Sequence, residues 1–331
     1  MRRTGYLYEK VMTLENIIDA WELFNARRAP KLRRLVDVVK AQQILDRMKN
    51  DFAGVIGKPR IKYIRESGKL RRLQIPPFES VIAQTAIWNI CGKYVEDRIH
   101  SQSFSSRKGM GGHLAARKCE KFVHTHKDGD ARYCFYFDVR KYYQHIDKRI
   151  LMSRIETVFK DKRIIEMFRV IIYSAEEGLP IGYPFSHALA NLYLVPLYFL
   201  IRSTKGVSKV YVYMDNWFVF SKHKKPLHRA KVDAEAWLER MGCSLKPDWQ
   251  IFPTRSRGVR ICGFVVFANS ATRLYRGIWR RLLRNFRRFV AHPTRHRRLS
   301  LMSRLGWLKA INQEYNPIFT TPKGDYLWNR G

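Results

Sequence analysis

Acidic residues are scarce in this sequence, and long apolar segments are absent. Its 331 residues include 63 lysines and arginines but only 28 aspartates and glutamates, which leaves a formal net charge of +35. Self-repulsion on this scale opposes compaction unless a polyanion offsets it, so we expect nucleic acid as the partner, with an anionic membrane surface as the alternative. No apolar run approaches the roughly 18–20 residues that a spanning helix needs, which argues against membrane insertion.

Cysteine is sparse as well, and its spacing argues against two further classes of protein. The five cysteines form no Cys-x-x-Cys pair and have no paired histidine spacing. We therefore predict reduced core thiols in a cytoplasmic protein, without a zinc site or a disulfide framework. The sequence also has no apolar signal-peptide core near Met1, no Walker phosphate loop and no internal repeat of about 20–50 residues.

Two apolar strands next to aspartates carry the clearest chemical signal. The run Tyr133–Asp138 is almost continuously apolar, which predicts a central strand buried on both faces. In Val210–Ser221, two β-branched and aromatic runs flank Tyr213-Met-Asp-Asn216, a pattern typical of a hairpin with Asp215 at its tip. An aspartate at a turn is by itself usually only a turn residue. Two such strands side by side would bring Asp138 and Asp215 together.

Like charges held close together invite a divalent cation. Carboxylate ligands that leave positions for water and phosphate oxygens favour Mg²⁺, with Mn²⁺ as its substitute. Two ions about 3.5–4 Å apart would suit an in-line displacement in which a 3′-hydroxyl attacks and pyrophosphate leaves. The high positive charge of the chain would then bind template, product and incoming triphosphate.

Three basic or turn-rich segments supply candidate phosphate ligands. A glycine-turn hairpin over residues 60–75 places Lys69 and Arg71 where a basic strand could hold a triphosphate, with a charge-guarded edge strand as the alternative. A serine- and glycine-rich loop carries Arg107 just before a predicted helix at 114–122, an arrangement that suits an anion. In the loop 178–187, Gly182 is free to let the backbone approach a ligand. A buried helix is predicted to follow over Ala188–Ile201.

An amphipathic helix is predicted over Ile278–Val290. Its apolar residues fall on one face and its arginines on the other. Such a guanidinium face favours binding to backbone phosphates over bare exposure to solvent. The arginines predicted to bind nucleic acid are Arg280, Arg284, Arg287 and Arg288. A further helix is predicted over Leu301–Tyr315.

Over roughly residues 50–265 the motifs resemble those of a known family, the reverse transcriptases. Tyr213-Met-Asp-Asn216 resembles the Tyr-x-Asp-Asp box of the family, and Phe137-Asp138 resembles its first metal-binding motif. The resemblance implies that Asp138 and Asp215 are catalytic metal ligands. It implies that Asn216, which replaces the second aspartate of the box, is a weakened third ligand. Tyr143, five residues after Asp138, falls on the family's aromatic gate against the ribose 2′-hydroxyl.

Further motifs of the family follow in the expected order along the chain. They resemble the triphosphate-binding fingers motifs, the loop that contacts template and substrate, the lysine near the pyrophosphate and the primer grip. The nucleotide ligands implied by this resemblance are Lys69, Arg71, Arg107, Tyr143, Ile181, Gly182 and Lys246. The nucleic-acid ligands implied outside the arginine helix are Ser186, Gly258 and Gly263.

The compact length, the Ile-Gly-x-x-x-Ser form of the loop and the helical N-terminal region resemble the reverse transcriptases of diversity-generating retroelements. This resemblance implies a bacterial or phage protein that uses dNTPs to copy a template RNA into cDNA, with errors at template adenines. It also implies a small basic accessory variability protein that forms a pentamer. Retron, group II intron and phage-defence enzymes share most of the motifs and remain alternatives. The sequence departs from the pattern at Asn216, at His187 where a glutamine is usual, and at Ser80 where an aspartate is frequent.

The expected fold class is α+β, with a right-hand polymerase fold. We expect mixed fingers with N-terminal helices over 1–125, an antiparallel palm sheet over 126–267 and a helical, arginine-rich thumb over 268–331. The expected function is RNA-directed DNA synthesis by two-metal phosphoryl transfer. Two alternatives stay open: a nucleic-acid-binding scaffold of the same fold that lost catalysis through Asn216, and an RNA-dependent RNA polymerase, which Tyr143 would oppose.

Overall fold

Helices and short antiparallel strands make up the computed structural model, which describes residues 3–26, 28–66 and 68–309. The helices are α1 (Tyr8–Val11), α2 (Leu14–Ala26), α3 (Val38–Asn50), α4 (Phe52–Ile56), α5 (Phe78–Glu96), α6 (Gly112–Thr125), α7 (Tyr142–His145), α8 (Lys148–Val158), α9 (Lys162–Tyr173), α10 (Ser186–Tyr193), α11 (Val195–Ser203), α12 (Lys224–Arg240), α13 (Thr254–Arg257), α14 (Arg276–Ala291) and α15 (Arg295–Lys309). The strands are β1 (Arg60–Glu66), β2 (Lys69–Ile75), β3 (Tyr133–Asp138), β4 (Lys209–Tyr213), β5 (Asn216–Ser221), β6 (Gln250–Pro253), β7 (Val259–Ile261), β8 (Phe264–Phe267) and β9 (Ser270–Leu274). No helix within these described ranges is both long and apolar enough to cross a membrane.

A four-stranded sheet with the order β4-β5-β3-β6 lies at the centre of the fold. Every pairing in it is antiparallel, as the sequence predicts for the palm. Strand β3 is an inner strand, and its side chains are buried on both faces of the sheet, as its apolar run predicts. The register of β3 with β5 sets Phe137 opposite Trp217 and Asp138 opposite Asn216.

The two faces of this sheet belong to two different hydrophobic cores. Phe135, Phe137 and Trp217 point into the larger core, which the N-terminal helices, α5 and the helices α8 to α12 complete. Cys134 and Phe220 point into the second core, which contains side chains from α6, the strands β7 to β9, α14 and α15. This follows from the period of two along a strand, which sends neighbouring side chains to opposite faces. The central strands therefore pack against a hydrophobic core on each face of the sheet.

The predicted basic hairpin forms a separate two-stranded sheet. Strands β1 and β2 pair antiparallel from Arg60 opposite Ile75 to Glu66 opposite Lys69. A hydrogen bond from the amide of Gln74 to the carbonyl of Ile181, 2.9 Å long, ties the hairpin to the loop before α10. The hairpin therefore lies against the segment that the sequence assigns to substrate contact.

One predicted helix is organised differently in the structure. The helix predicted over Ala188–Ile201 is two helices, α10 and α11, because Pro196 has no amide hydrogen to continue the helical bonding. Further along the chain, β7 and β8 form a hairpin turned by Cys262 and Gly263, whose φ angles are 47° and 87°. Paired positive φ angles are what a tight hairpin turn requires.

The third sheet has the order β7-β8-β9 and lies apart from the central one. Because β8 ends at Phe267 and β9 begins at Ser270, the domain boundary predicted at 267 divides this sheet. The arginine-rich helix α14 follows directly and packs against α15. The last predicted helix begins earlier than expected, at Arg295, and positions 310–315 of that prediction lie outside the described residues.

Candidate active site

The carboxylates of Asp138 and Asp215 are neighbours, as the pairing of two acid-tipped strands predicts. Asp138 ends β3, and Asp215 lies in the two-residue turn between β4 and β5. The amide of Val139 donates to the carbonyl of Asp215 over 3.1 Å, which closes the ladder at this end. Met214, the other turn residue, has a φ of 55°, a conformation that is unusual for a bulky residue and that the tight turn imposes.

Asp138 is buried, with only 8% of its surface exposed. Burial is the main reason that the pKa of its carboxyl group is raised to about 6, and the charge of Asp215 raises it further. The ammonium group of Lys246 opposes this shift by donating a hydrogen bond to Oδ2 of Asp138. The backbone positions that lysine, because the amide of Lys246 donates to the carbonyl of Asp138 over 2.8 Å.

The donor atoms at this site fit a hard divalent cation. Oδ1 of Asp138 is buried and has no hydrogen-bond partner among the described residues, so a cation or its bound water would satisfy it. Residues 3–26, 28–66 and 68–309 contain no cluster of three or more His, Cys, Asp or Glu side chains that could bind a metal. Two carboxylates, with water and substrate phosphate as the remaining ligands, are a donor set that Mg²⁺ accepts.

The amide of Asn216 is engaged on both sides. Its nitrogen donates to Oδ1 of Asp215 over 3.1 Å, and its oxygen accepts from the hydroxyl of Tyr136 over 2.8 Å. A carboxylate oxygen can only accept, so the amide nitrogen must face Asp215 and the oxygen must face the phenol. Burial raises the pKa of Tyr136, which keeps that phenol protonated. In this structure the oxygen predicted to be a weak metal ligand therefore already accepts one hydrogen bond, from Tyr136.

A cleft of about 290 Å³ collects side chains from five distant segments of the chain. Its lining includes five of the residues that the sequence assigns to catalysis and nucleotide binding, which are Arg71, Tyr143, Ile181, Asp215 and Lys246. Arg72 and Lys141 add further positive charge to its walls. The cleft thus places the carboxylate of Asp215 among cationic side chains, an arrangement that suits a triphosphate with a bound metal ion.

The loop before α10 packs tightly against this cleft. The amide of Leu179 donates to the carbonyl of Tyr143 over 2.8 Å, and a Cβ added at Gly178 would lie 2.0 Å from that carbonyl oxygen. At Gly182, with a φ of +119°, an added Cβ would lie 2.5 Å from the carbonyl oxygen of Gln74. Gly182 is thus required for close approach of the protein's own strand β2, whereas the sequence predicted approach of a ligand.

A second groove of about 680 Å³ lies beside Asn216. Gly258 and Gly263, the predicted primer-grip glycines, line it together with Asn216. The sequence did not identify Tyr136 and Arg260, which also line this groove. The guanidinium of Arg260 lies 3.3 Å from the ring centroid of Tyr275, so one wall of the groove carries a cation stacked on an aromatic ring.

A family model described as "Reverse transcriptase (RNA-dependent DNA polymerase)" matches residues 56–266, which is more than half of the chain. The matched span contains the central sheet, both hairpins and the cleft. This chain belongs to the reverse transcriptase family. No curated protein matches its sequence.

Telomerase structures share the fold of this reverse transcriptase. Apo telomerase from Candida tropicalis, truncated from its C-terminal domain, superposes with a TM-score of 0.52 at 12% identity, covering 72% of this chain and 61% of that chain. Telomerase from Candida albicans, in complex with a TWJ fragment of telomeric RNA, gives 0.54 at 10% identity, covering 81% and 56%. The chain thus spans about 60% of the telomerase chains it matches. At these identities the likeness concerns the fold alone, and it confirms the predicted α+β right-hand polymerase fold.

Two predicted ligands, Arg107 and Ser186, do not line the cleft. The guanidinium of Arg107 donates to the carbonyls of His100, Ser103 and Glu96 over 3.0, 3.2 and 3.2 Å, so it ties together the turn after α5. Ser186 begins α10 with 2% of its surface exposed. Lys69 begins β2, and its side chain lies outside the described part of the chain. A basic loop residue and a buried serine at the start of a helix cannot be told from ligands by sequence alone.

The arginine-rich segment forms the amphipathic helix α14, as its pattern predicts, and this helix is one wall of a large groove. The groove between α14 and α15 has a volume of about 860 Å³. All four predicted arginines line it, namely Arg280, Arg284, Arg287 and Arg288. His292 and His296 also line it. The sequence has no acidic residue between Asp248 and Glu314, so this whole segment is uniformly positive.

Proposed function

We propose that this chain is an RNA-directed DNA polymerase that copies an RNA template into cDNA. The observation that carries the proposal is the cleft, in which Arg71, Tyr143 and Lys246 surround the carboxylate of Asp215, with Asp138 adjacent. A scaffold that only bound nucleic acid would not need carboxylates, a half-buried lysine and an aromatic side chain arranged together. Membership in the reverse transcriptase family supports the same function.

The residues in and beside the cleft have different roles in phosphoryl transfer. Asp138 and Asp215 would hold Mg²⁺ or Mn²⁺, which when bound assists ionisation of a 3′-hydroxyl and stabilises a leaving pyrophosphate. Arg71 and Lys246 bind the triphosphate, and Lys246 holds a proton close to the departing phosphates. Tyr143 fills the space that a ribose 2′-hydroxyl would need. The arginines of α14 bind the phosphates of template and product strands.

The finer proposal is a reverse transcriptase of a diversity-generating retroelement. Ile181, from the Ile-Gly-x-x-x-Ser loop, lines the cleft, where it can influence fidelity at the nascent base pair. The partners would be the template RNA, the cDNA or primer strand and a small basic pentameric accessory protein. Because this chain carries a net charge of +35, a basic partner would be repelled unless RNA lay between them. Products with errors concentrated at template adenines would support this subtype, and evenly distributed errors would reject it without affecting the polymerase proposal.

One observation favours a second candidate, a catalytically weakened or inactive scaffold of the same fold. Asn216 carries an amide where the family's box has a further aspartate, so the site offers two carboxylates, and the amide oxygen already accepts a hydrogen bond from Tyr136. Fewer charged ligands weaken the binding of a divalent cation. Retron and phage-defence reverse transcriptases remain alternatives within the active class.

Primer extension on an RNA template tests both candidates. We expect the wild-type protein to incorporate dNTPs with Mg²⁺ or Mn²⁺ and Asp215→Ala to incorporate none. Asn216→Asp adds a carboxylate, which we expect to lower the Mg²⁺ concentration for half-maximal extension on the order of tenfold. If neither the wild-type protein nor Asn216→Asp extends the primer with either metal, the enzyme proposal fails and the scaffold stands. Extension by Asn216→Asp alone would identify a polymerase inactivated at this one position.

A further inference from the structure

The hydroxyl of Tyr143 shares a hydrogen bond with Nδ1 of His187, the residue at which this sequence departs from the usual glutamine. The two rings meet edge to face, with centroids 5.7 Å apart and planes at 81°. Tyr143 also lines the cleft beside Asp215. We propose that His187 determines sugar specificity by positioning Tyr143, and this inference rests on the polymerase function proposed above.

Tyr143 receives little support from its own element. It stands on α7, a helix of four residues that follows Lys141, whose φ is 45°. A single helical turn has few internal hydrogen bonds with which to hold a side chain in one orientation. The contacts that fix Tyr143 must therefore come from elsewhere in the fold.

The segment from Gly178 to His187 supplies those contacts at both ends of Tyr143. At the backbone, the amide of Leu179 donates to the carbonyl of Tyr143 over 2.8 Å, in a contact so close that only a glycine fits at 178. At the tip of the side chain, the phenol forms a hydrogen bond with Nδ1 of His187. With the main chain and the hydroxyl both fixed, the ring keeps a single position in the cleft.

The chemistry of the pair makes the bond specific. Burial lowers the pKa of His187, so the imidazole is neutral and Nδ1 can accept. Burial and the charge of Asp215 raise the pKa of Tyr143, so the phenol keeps its proton and can donate it. Loss of the acceptor would free the phenol to rotate and would open the space in which a ribose 2′-hydroxyl could be accepted.

The test measures incorporation of matched dNTPs and rNTPs on one RNA–primer substrate. His187→Leu removes the acceptor, whereas His187→Asn places an amide oxygen near the position of Nδ1. Tyr143→Phe removes the donor, and Tyr143→Ala is the reference for complete loss of the gate. Tyr183→Phe is the matched control. Tyr183 lies in the same loop as His187, and its hydroxyl bonds to Ser174 over 2.9 Å.

We expect His187→Leu to reduce the preference for dNTPs about five- to tenfold, mainly by lowering the KM for rNTPs, as the loss of one partly buried hydrogen bond predicts. His187→Asn should retain most of the preference, and Tyr183→Phe should leave it unchanged. Adding His187→Leu to Tyr143→Phe should cause no further loss, because both changes break one bond. An unchanged preference in His187→Leu, or an effect that persists in the Tyr143→Phe background, would overturn the proposal.

Equilibrium binding separates this proposal from the proposed function. The affinities of the protein–RNA–primer complex for dATP and ATP report the same preference without turnover. If the wild-type complex binds dATP more tightly than ATP but extends no primer, the polymerase proposal fails. The role of His187 in sugar preference is then decided by the affinities of the same variants for dATP and ATP. If the wild-type complex binds dATP and ATP equally, the role assigned to His187 is wrong.

Discussion

The cleft at Asp138 and the groove between α14 and α15 both suit phosphate, but their charges are arranged in opposite ways. In the cleft, Lys246 is bonded to Asp138, and Arg72 forms an ion pair of 2.6 Å with Glu176 at the rim. In the groove the arginines are exposed. No acidic side chain within the described ranges forms an ion pair with Arg280, Arg284, Arg287 or Arg288.

This difference implies two modes of binding. In the partly buried cleft the local dielectric is low, so the interaction energy of each paired charge depends strongly on the exact position of its partner. On the exposed helix the arginines contribute to binding mainly through their total charge. Salt screens this attraction, and the loss of one arginine removes only a part of it. Single substitutions should therefore have large effects in the cleft and small effects in the groove.

The largest expected effect is at Asp138. Asp138→Asn keeps the shape of the side chain but removes a charge that a divalent cation and Lys246 both require, so we expect primer extension to fall at least about a thousandfold, or roughly 4 kcal/mol. Asp248→Asn is the control, because that carboxylate is exposed and lines the neighbouring groove. Loss of activity within about tenfold in Asp138→Asn would show that the site does not depend on this charge.

Two arginines that look equivalent in the sequence should separate into different roles. Arg107→Gln removes donors from three main-chain carbonyls, so we expect the free energy of unfolding to fall by about 2–4 kcal/mol with the KM for dNTPs unchanged. Arg71→Gln should raise that KM about tenfold or more, because it removes a predicted ligand of the triphosphate. Urea unfolding and steady-state kinetics on both variants make the comparison. A rise in KM for Arg107→Gln without loss of stability would restore the role that the sequence assigned to it.

The smallest expected effects come from single arginines of α14. Arg284→Ala should weaken binding to an RNA–DNA duplex no more than about threefold, whereas replacing all four groove arginines should weaken it about a hundredfold or more at low salt. The quadruple variant should also reduce the slope of log affinity against log salt by roughly 3–4. Arg163→Ala with Arg169→Ala is the control, since those arginines pair with Glu9 and Glu166. A large loss from Arg284→Ala alone would place a position-specific contact in the groove.

Much of the secondary structure was predictable because it depends on neighbours in the sequence. The apolar run of β3, the turn at Met214 and Asp215 and the two-sided pattern of α14 each show the period of their element within a few residues. Those local signals predicted that the two acids meet if their strands are neighbours, and the resemblance to reverse transcriptases supplied the antiparallel sheet. Pro196 was visible in the sequence, but the break that it causes between α10 and α11 was missed.

The partners of side chains were not predictable in the same way. Arg71 and Arg107 both sit among cations, serines and glycines, and only the packing of distant segments sends one to the cleft and the other to three carbonyls. The same holds for Gly182, whose neighbour is strand β2, and for Ser186, which is buried. These contacts join residues far apart in the chain, so no local pattern encodes them.

The sequence by itself determined the chemistry available to this protein: two aspartates on strand ends, an excess of positive charge and the motifs of a reverse transcriptase. The tertiary structure alone decided how those groups are held. It placed Tyr136 on Asn216, His187 on Tyr143 and Lys246 on Asp138. The physical reason is that periodicity arises from the geometry of one segment, whereas a hydrogen bond between side chains depends on where the whole fold places both partners.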